Sequence, residues 1–152
     1  MKDKTVVATD PDNRIVSFVK SQTVFTLAVN LVNSPPYCAP CFYAYSETHN
    51  ALVFKSSRDT KHIIGAIANS VVGGSILPDK LSAGKVKGVQ FTGLFVEPKD
   101  DLLLSFQKVY YKKYPFAMAM SGDIWAVEFR TIKFTDNTLG FGTKLLWQHS
   151  EL

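Results

Sequence analysis

The chain has 152 residues, of which 46% are hydrophobic and 20% charged, and its formal net charge is +4. This balance excludes a disordered chain, and the length indicates one domain spanning residues 1–152. No Lys/Arg run, RNA-binding aromatic motif or long apolar stretch is present, so we expect neither nucleic-acid binding nor a membrane span. The polar start of the chain, without a signal-type apolar region, predicts a cytoplasmic protein.

The first half of the chain predicts one helix and three strands. Asp10 and Pro11 are typical of a helix start, and the apolar stripe that follows ends near residues 21–22. Strands are predicted at residues 23–29, 42–47 and 51–56. Prolines at positions 35 and 36 forbid regular structure between the first two strands, whereas a tight turn joins the last two as a hairpin.

The second half alternates helices and strands. Helices are predicted at residues 60–69 and 98–114, and strands at residues 71–77, 86–96, 124–134 and 144–147. Gly73 and Gly74 indicate either a bulge or a close approach to the backbone. In the strand at 124–134, alternation would place one set of residues on one face, namely Ile124, Ala126, Glu128, Arg130, Ile132 and Phe134. The opposite face would carry Trp125, Val127, Phe129 and Thr131.

These elements predict a mainly β fold. Six or seven strands separated by turns favour a closed antiparallel barrel, which the three helices interrupt. The hairpin at residues 42–56 argues against a parallel sheet with regular crossover helices.

Hydroxyl and basic residues gather where the second helix begins. Ser56, Ser57, Arg58, Thr60, Lys61 and His62 follow a short apolar strand and lead directly into the helical pattern. Free N–H groups of a first helical turn, the helix dipole and a nearby cation together suit a phosphate, so this segment predicts a phosphate-bearing ligand such as a nucleotide cofactor. The alternative is that Asp59 or Thr60 only caps the helix while the cations lie in water.

Two cysteines, Cys38 and Cys41, form a C-x-x-C pattern. A redox dithiol would be expected at a helix start, but the residues that follow predict a strand. A zinc site needs two further ligands, and the three histidines show no ligand spacing. We therefore expect no metal site, and two buried thiols are the alternative to a redox role.

Three stretches carry a family resemblance. The run Thr135-Asp-Asn-Thr-Leu-Gly-Phe-Gly-Thr-Lys144, preceded by Ile132-Lys-Phe134, closely resembles the closing motif of the YhbP-like proteins. Residues 88–93 and 110–116 resemble the same group. That group belongs to the pyridoxamine 5′-phosphate oxidase-like, FMN-binding split-barrel superfamily.

The resemblance implies a six-stranded antiparallel Greek-key split barrel that forms a homodimer, with an FMN in each of two clefts at the subunit interface. It implies that Ser56 or Ser57, Thr60 and Lys61 hold the FMN phosphate, with Arg58 as an extra cation and His62 near the phosphate or a ring oxygen. It also implies ring contacts from Gln90 and from the backbone of Phe42, Tyr43 and Ala44. The basic residues that bind substrate in pyridoxamine phosphate oxidases have no counterpart here.

Two functions follow from these expectations. The first is a flavin-dependent oxidoreductase acting on an unidentified small molecule, in which the cofactor carries the electron chemistry and the protein supplies binding and orientation. The second is a non-catalytic dimeric module that binds flavin or haem.

Overall fold

The computed structural model describes residues 10–140 and 142–151, which contain three helices and seven strands. The helices are α1 (Asn13–Ser21), α2 (Lys61–Ala68) and α3 (Asp100–Lys113). The strands are β1 (Val24–Val29), β2 (Tyr37–Ser46), β3 (Ala51–Ser56), β4 (Val71–Ile76), β5 (Lys87–Val96), β6 (Asp123–Asp136) and β7 (Lys144–Gln148). Two 3-10 turns cover Pro115–Ala119 and Asn137–Leu139.

Most predicted elements are confirmed within a few residues. The polar N-terminal residues that predicted a cytoplasmic protein, and Phe141 of the closing motif, lie outside the described residues. None of the described helices has both the length and the apolar character that crossing a membrane requires.

The strands form a closed barrel. Their order is β3-β2-β1-β4-β5-β6, and every pairing is antiparallel. The two end strands of this order, β3 and β6, also pair with each other and close the ring. The long β6 is shared: its first half, Asp123 to Glu128, pairs with β3, and its second half, Thr131 to Thr135, pairs with β7. The predicted six-stranded split barrel with flanking helices is therefore confirmed, and β7 is an added strand outside the ring.

A bulge in β6 corrects the predicted faces of that strand. Thr131 pairs with Thr92, but Phe129 pairs with Gly93, so Arg130 is an extra residue without a partner in this ladder. One inserted residue turns the strand by one side-chain position, and the faces exchange beyond it. Ile132 and Phe134 consequently lie in the barrel core with Trp125, Val127 and Phe129, rather than on the opposite face.

Strand β2 begins at Tyr37, five residues before the predicted start. In the described part of the chain, residues 37–42 pair with β1 and residues 43–46 pair with β3. A strand with one unpaired edge tolerates Pro40, because the proline nitrogen has no hydrogen to donate to a neighbouring strand. The prolines therefore mark a sheet edge as well as a turn.

Two apolar clusters stabilise the fold. The barrel interior is aromatic, with Phe25 packed edge-on against Tyr43 and Phe54 at ring-centroid distances of 5.8 and 5.4 Å. The second cluster lies where α3 covers the outside of β2, β3 and β6, and includes Phe106, Tyr110 and Tyr114. Because α3 packs on the outer face of β3, it helps to hold in place the strand that leads to α2.

Candidate functional site

The candidate site lies at the carboxyl end of β3, where the chain enters α2. Ser56 is the last residue of β3, and its carbonyl oxygen accepts a hydrogen bond of 2.9 Å from the indole Nε1 of the buried Trp125. This bond fixes the strand end to the barrel core, because Trp125 is fully enclosed. The loop that carries the predicted phosphate ligands is thus attached to a rigid element.

The structure brings three of the predicted polar side chains together. The Ser56 hydroxyl lies 2.8 Å from Nε2 of His62, and the Thr60 hydroxyl lies 3.4 Å from the same nitrogen. The Thr60 hydroxyl also donates to the carbonyl oxygen of Ser57 at 2.8 Å, which closes the loop. Ser57 itself is exposed. Hydroxyl and imidazole groups therefore line the entrance to the helix.

The N-terminus of α2 has no side-chain cap. Thr60 occupies the N-cap position, but its hydroxyl is turned back to Ser57 instead of accepting from the first turn. In α1, by contrast, the Asp12 carboxylate accepts the Arg14 N–H at 2.8 Å. The alternative that Thr60 caps the helix is therefore confirmed for its position, but its hydroxyl makes no capping hydrogen bond. The first N–H groups of α2 stay available to an anion, which the helix dipole favours.

Partial burial lowers the pKa of the His62 ring below its usual value, which favours the neutral imidazole. A neutral imidazole has one donor and one acceptor nitrogen. Nε2 of His62 lies within hydrogen-bond distance of the Ser56 and Thr60 hydroxyls, so the ring helps to hold both side chains in place. In its neutral form the ring adds no full positive charge to the site.

The two predicted cations have different surroundings. Arg58 forms an ion pair with Glu97, and its Nε lies 3.9 Å from Oδ2 of Asp123. Its guanidinium group also stacks over the Trp125 ring, with 4.8 Å between the guanidinium carbon and the ring centroid. Two carboxylates therefore compensate its charge. Lys61 has no carboxylate within 4.0 Å among residues 10–140 and 142–151, and its Nζ lies 4.7 Å from the Tyr37 ring centroid. Lys61 is thus the cation better placed to meet an anionic ligand.

The β2 residues predicted beneath the ring lie next to β3. The Tyr43 N–H donates to the Thr23 carbonyl oxygen at 3.0 Å, and the Tyr43 carbonyl oxygen accepts from the Tyr114 hydroxyl at 2.7 Å. Both backbone groups of Tyr43 therefore already have internal partners. Ala44 is buried in the ladder with β3, and the Phe42 side chain is 58% exposed.

Gln90 is not brought to this site within one chain. It lies on β5, exposed between the buried Val89 and Phe91, and β6 separates β5 from β3. Its side chain borders a surface cavity of about 310 Å³ together with Lys133 and Gln148.

Sequence reasoning missed a group of three aromatic rings at β2, which we call the aromatic platform: Phe42, Tyr114 and Phe116. Two exposed methionines, Met118 and Met120, follow Phe116 in the chain. The ring of Tyr114 lies 6.1 Å from those of both Phe42 and Phe116, and Phe42, Phe116 and the two methionines are exposed. Lys55 supports this surface, because its Nζ donates to the carbonyl oxygens of Ala117 and Met120 at 2.8 and 2.5 Å. The aromatic run at residues 110–116 was the available sequence signal.

The cysteines differ from each other. Cys41 is buried, and burial raises the pKa of its thiol to about 12. Cys38 is exposed, so the interpretation as two buried thiols is wrong for Cys38. Both are free. In the described residues, no group of three or more His, Cys, Asp or Glu side chains is arranged to hold a metal ion.

Close relatives identify the family. The chain is 34% identical over 144 residues to UPF0306 protein YE0465 of Yersinia enterocolitica, covering 93% of this chain and 97% of the relative. The chain belongs to the UPF0306 family. A UPF0306 protein of Serratia proteamaculans is 33% identical over 139 residues, covering 91% and 96% of the two chains. No family model matches. The family assignment confirms the resemblance to the YhbP-like proteins.

Solved structures share the barrel. A haem-binding protein from Mycobacterium smegmatis superposes with a TM-score of 0.74 at 15% identity, over 87% of this chain and 55% of that chain. A FAD-binding protein from Mesorhizobium loti gives 0.65 at 20% identity, over 82% and 91%. A Clostridium acetobutylicum protein related to general stress protein 26, of the pyridoxinephosphate oxidase family, gives 0.65 at 11% identity, over 91% and 94%. At these identities the likeness shows the pyridoxamine 5′-phosphate oxidase-like split-barrel fold.

Proposed function

We propose that this chain is an FMN-binding protein, and that it works as a flavin-dependent oxidoreductase on an unidentified small molecule. The observation that carries the proposal is the uncapped N-terminus of α2, bordered by the hydroxyls of Ser56 and Thr60 and by the ammonium group of Lys61. An N-terminus of this kind binds a phosphate through backbone N–H groups and the helix dipole. The FAD-binding structural neighbour supports a flavin over other phosphate-bearing ligands.

The residues of the site fit the phosphate end of FMN. The first N–H groups of α2 and the hydroxyls would donate to phosphate oxygens, and Lys61 would leave the Tyr37 ring to supply a full charge. Arg58 would hold the loop through Glu97 and Trp125 rather than bind the phosphate. FMN, once bound, supplies the hydride and electron chemistry. The chain itself positions the cofactor and shields it from water.

The cofactor site is proposed to be completed by a second copy of the chain in a homodimer. The aromatic platform exposes Phe42 and Phe116 beside the strand that would lie under the flavin ring. Aromatic and Met side chains are enriched at protein interfaces. A partner seated there would cover this apolar surface and enclose the ring. We place the dimer in the cytoplasm.

Titration with FMN tests the phosphate site. Removing a charge-assisted contact costs about 1.5–3 kcal/mol, so Lys61→Ala should weaken FMN binding roughly tenfold or more. Thr60→Val should weaken it by about fivefold, the value of one ordinary hydrogen bond. Lys108→Ala, which removes an exposed lysine on α3, is the matched control and should bind as the wild type does. Equal affinities of the Lys61 and Lys108 variants would reject the site.

Spectra and mass test the rest of the proposal. The protein as isolated, or after addition of FMN, should show the visible bands of bound flavin, and reduced nicotinamide should bleach them if the chain is an oxidoreductase. Light scattering should give twice the mass of one chain, and Phe116→Glu should halve it. Flavin bands that reduced nicotinamide leaves unchanged, or a Soret band as expected from the likeness to the haem-binding neighbour, would instead support the non-catalytic module.

A further inference from the structure

His62 lies beside the two hydroxyl groups of the proposed phosphate site. Its Nε2 is 2.8 Å from the Ser56 hydroxyl and 3.4 Å from the Thr60 hydroxyl. The ring belongs to the second residue of α2 and is half-buried. A phosphate held by these hydroxyls would therefore lie next to an imidazole, the side chain whose charge ordinarily changes near neutral pH.

The protonation state of this ring decides what the Ser56 hydroxyl can offer a ligand. The Thr60 hydroxyl donates its hydrogen to the Ser57 carbonyl oxygen at 2.8 Å, so it presents only lone pairs to Nε2. A neutral ring with no hydrogen on Nε2 must accept the hydrogen of Ser56, which leaves none for a phosphate oxygen. The other neutral tautomer frees that hydrogen but brings no charge. Only a protonated ring gives the site both the Ser56 donor and a full positive charge.

The charges at the site do not balance a phosphate monoester while His62 is neutral. Such a phosphate carries close to two negative charges above its second pKa of about 6. Lys61 supplies one positive charge, and the N-terminus of α2 is equivalent to roughly half a charge. Arg58 adds little, because Glu97 and Asp123 already compensate it. A protonated His62 would supply the missing charge.

Several charged side chains lie on the elements around His62. They are Lys55 on β3, Arg58 and Asp59 in the loop, Lys61 on α2, Glu97 after β5 and Asp123 on β6. Of the strands packed against α2, β1 has no titratable residue, and β2 brings tyrosines and cysteines but no carboxylate, amine or imidazole. Without a ligand, burial lowers the pKa of His62. A phosphate dianion at hydrogen-bond distance favours the charged ring and raises that pKa, so binding would draw in a proton.

Given the proposed FMN site, on which this inference rests, we infer that FMN binds together with one proton, which His62 takes up from the solvent. The proton enters the ring nitrogen that lacks one, and Nε2 then donates to Ser56 while the Ser56 hydroxyl donates to the phosphate. His62 thereby makes the site selective for a phosphate monoester dianion. FMN is held more tightly at neutral pH than in mild alkali, whereas riboflavin, which has no phosphate, gains nothing from the proton.

Flavin fluorescence titrations of the full chain at about pH 7 and about pH 8.5 test the coupling, because one coupled proton changes an affinity by at most about tenfold per pH unit. The Kd for FMN should rise at least roughly fivefold between these values, and that for riboflavin less than about twofold. His62→Gln keeps an N–H donor near the position of Nε2 but cannot become charged, so it should remove the difference between the two pH values. His49→Gln, the same change at an exposed histidine in the β2–β3 turn, is the control and should retain the difference.

The NMR signals of the imidazole ring give a direct readout on the wild-type chain, which contains three histidines. His62→Gln assigns the His62 signal by its loss. FMN should raise the pH midpoint of that signal by about one unit or more, and riboflavin should leave it in place. Proton uptake at His62 is rejected, while the FMN site stands, if FMN binds without moving this midpoint or if His62→Gln keeps the wild-type pH dependence. If FMN binds at neither pH, the FMN site is rejected and the proton uptake with it.

Discussion

Replacing Gly74 by alanine should destabilise the barrel strongly, whereas the same change at Gly73 should not. A Cβ on Gly74 would lie 2.1 Å from the Thr26 carbonyl oxygen and 2.5 Å from Cζ of Phe91. The first distance is more than 1 Å short of ordinary contact, which begins at 3.4 Å. The obstructing oxygen belongs to β1, the sheet neighbour of β4, so side-chain rotation cannot remove the clash.

The expected loss of stability depends on how far the Thr26 backbone and the Phe91 ring must move to admit the added methyl group. Phe91 is buried and its ring lies 5.0 Å from that of Phe129, so the ring has little room to retreat. Overpacking of a core commonly costs about 1–3 kcal/mol of stability. Because the backbone must also move, we expect Gly74→Ala to lose about 3 kcal/mol, at the upper end of this range. A Cβ on Gly73 would meet only the Phe91 carbonyl oxygen, at 3.3 Å. Alanine also reduces the entropy of the unfolded chain, so Gly73→Ala should stay within about 1 kcal/mol of the wild type.

Urea unfolding followed by tryptophan fluorescence measures both variants at one protein concentration. The free energy of unfolding of Gly74→Ala should fall by about 3 kcal/mol with an unchanged m-value, and its melting temperature should fall by about 6–12 °C for a domain of this length. The reasoning is refuted if Gly74→Ala loses less than about 1 kcal/mol, or if the two variants lose the same amount.

Three further predictions concern single side chains. At pH 8 iodoacetamide should modify Cys38 but not native Cys41, because a thiol with a pKa of about 12 is only about one part in ten thousand thiolate; mass spectrometry showing equal labelling would contradict this. Burial of Asp136 raises its pKa, but hydrogen bonds from Thr138 and the ion pair with Lys87 together outweigh burial and lower the pKa. A carboxyl group with a lowered folded-state pKa adds stability above its unfolded pKa of about 3.9 and loses it as pH falls through the folded value. The stability advantage of the wild type over Asp136→Asn should therefore be constant above about pH 5 and shrink below pH 4; a gap that does not change with pH would exclude this contribution. Lys55→Met should speed amide hydrogen exchange at residues 115–120, whose carbonyl oxygens hold the lysine, and leave the barrel strands protected; unchanged exchange there would show that Lys55 does not anchor the turn.

Much of the fold and part of the candidate site could be predicted from the sequence, because their signals are local. The hairpin of β2 and β3 follows from two β-branched and aromatic runs around a tight turn. The apolar stripe of α1 was also predictable, but the residue that caps this helix is Asp12 rather than the predicted Asp10. The grouping of Ser56, Thr60 and Lys61 at a helix start was also readable, since all three lie within six residues. The sequence could not show which of the two cations is ion-paired, because Glu97, the partner of Arg58, lies 39 positions away.

What the sequence determined by itself was the set of elements and the residue types at the start of α2, because helix and strand periodicity and capping chemistry act over a few neighbouring residues. Only the tertiary structure decided that β3 closes the ring on β6 and that a bulge at Arg130 exchanges the faces of β6. Each of these depends on which distant strand lies opposite, and strand register is set by packing across the whole barrel rather than by any local pattern.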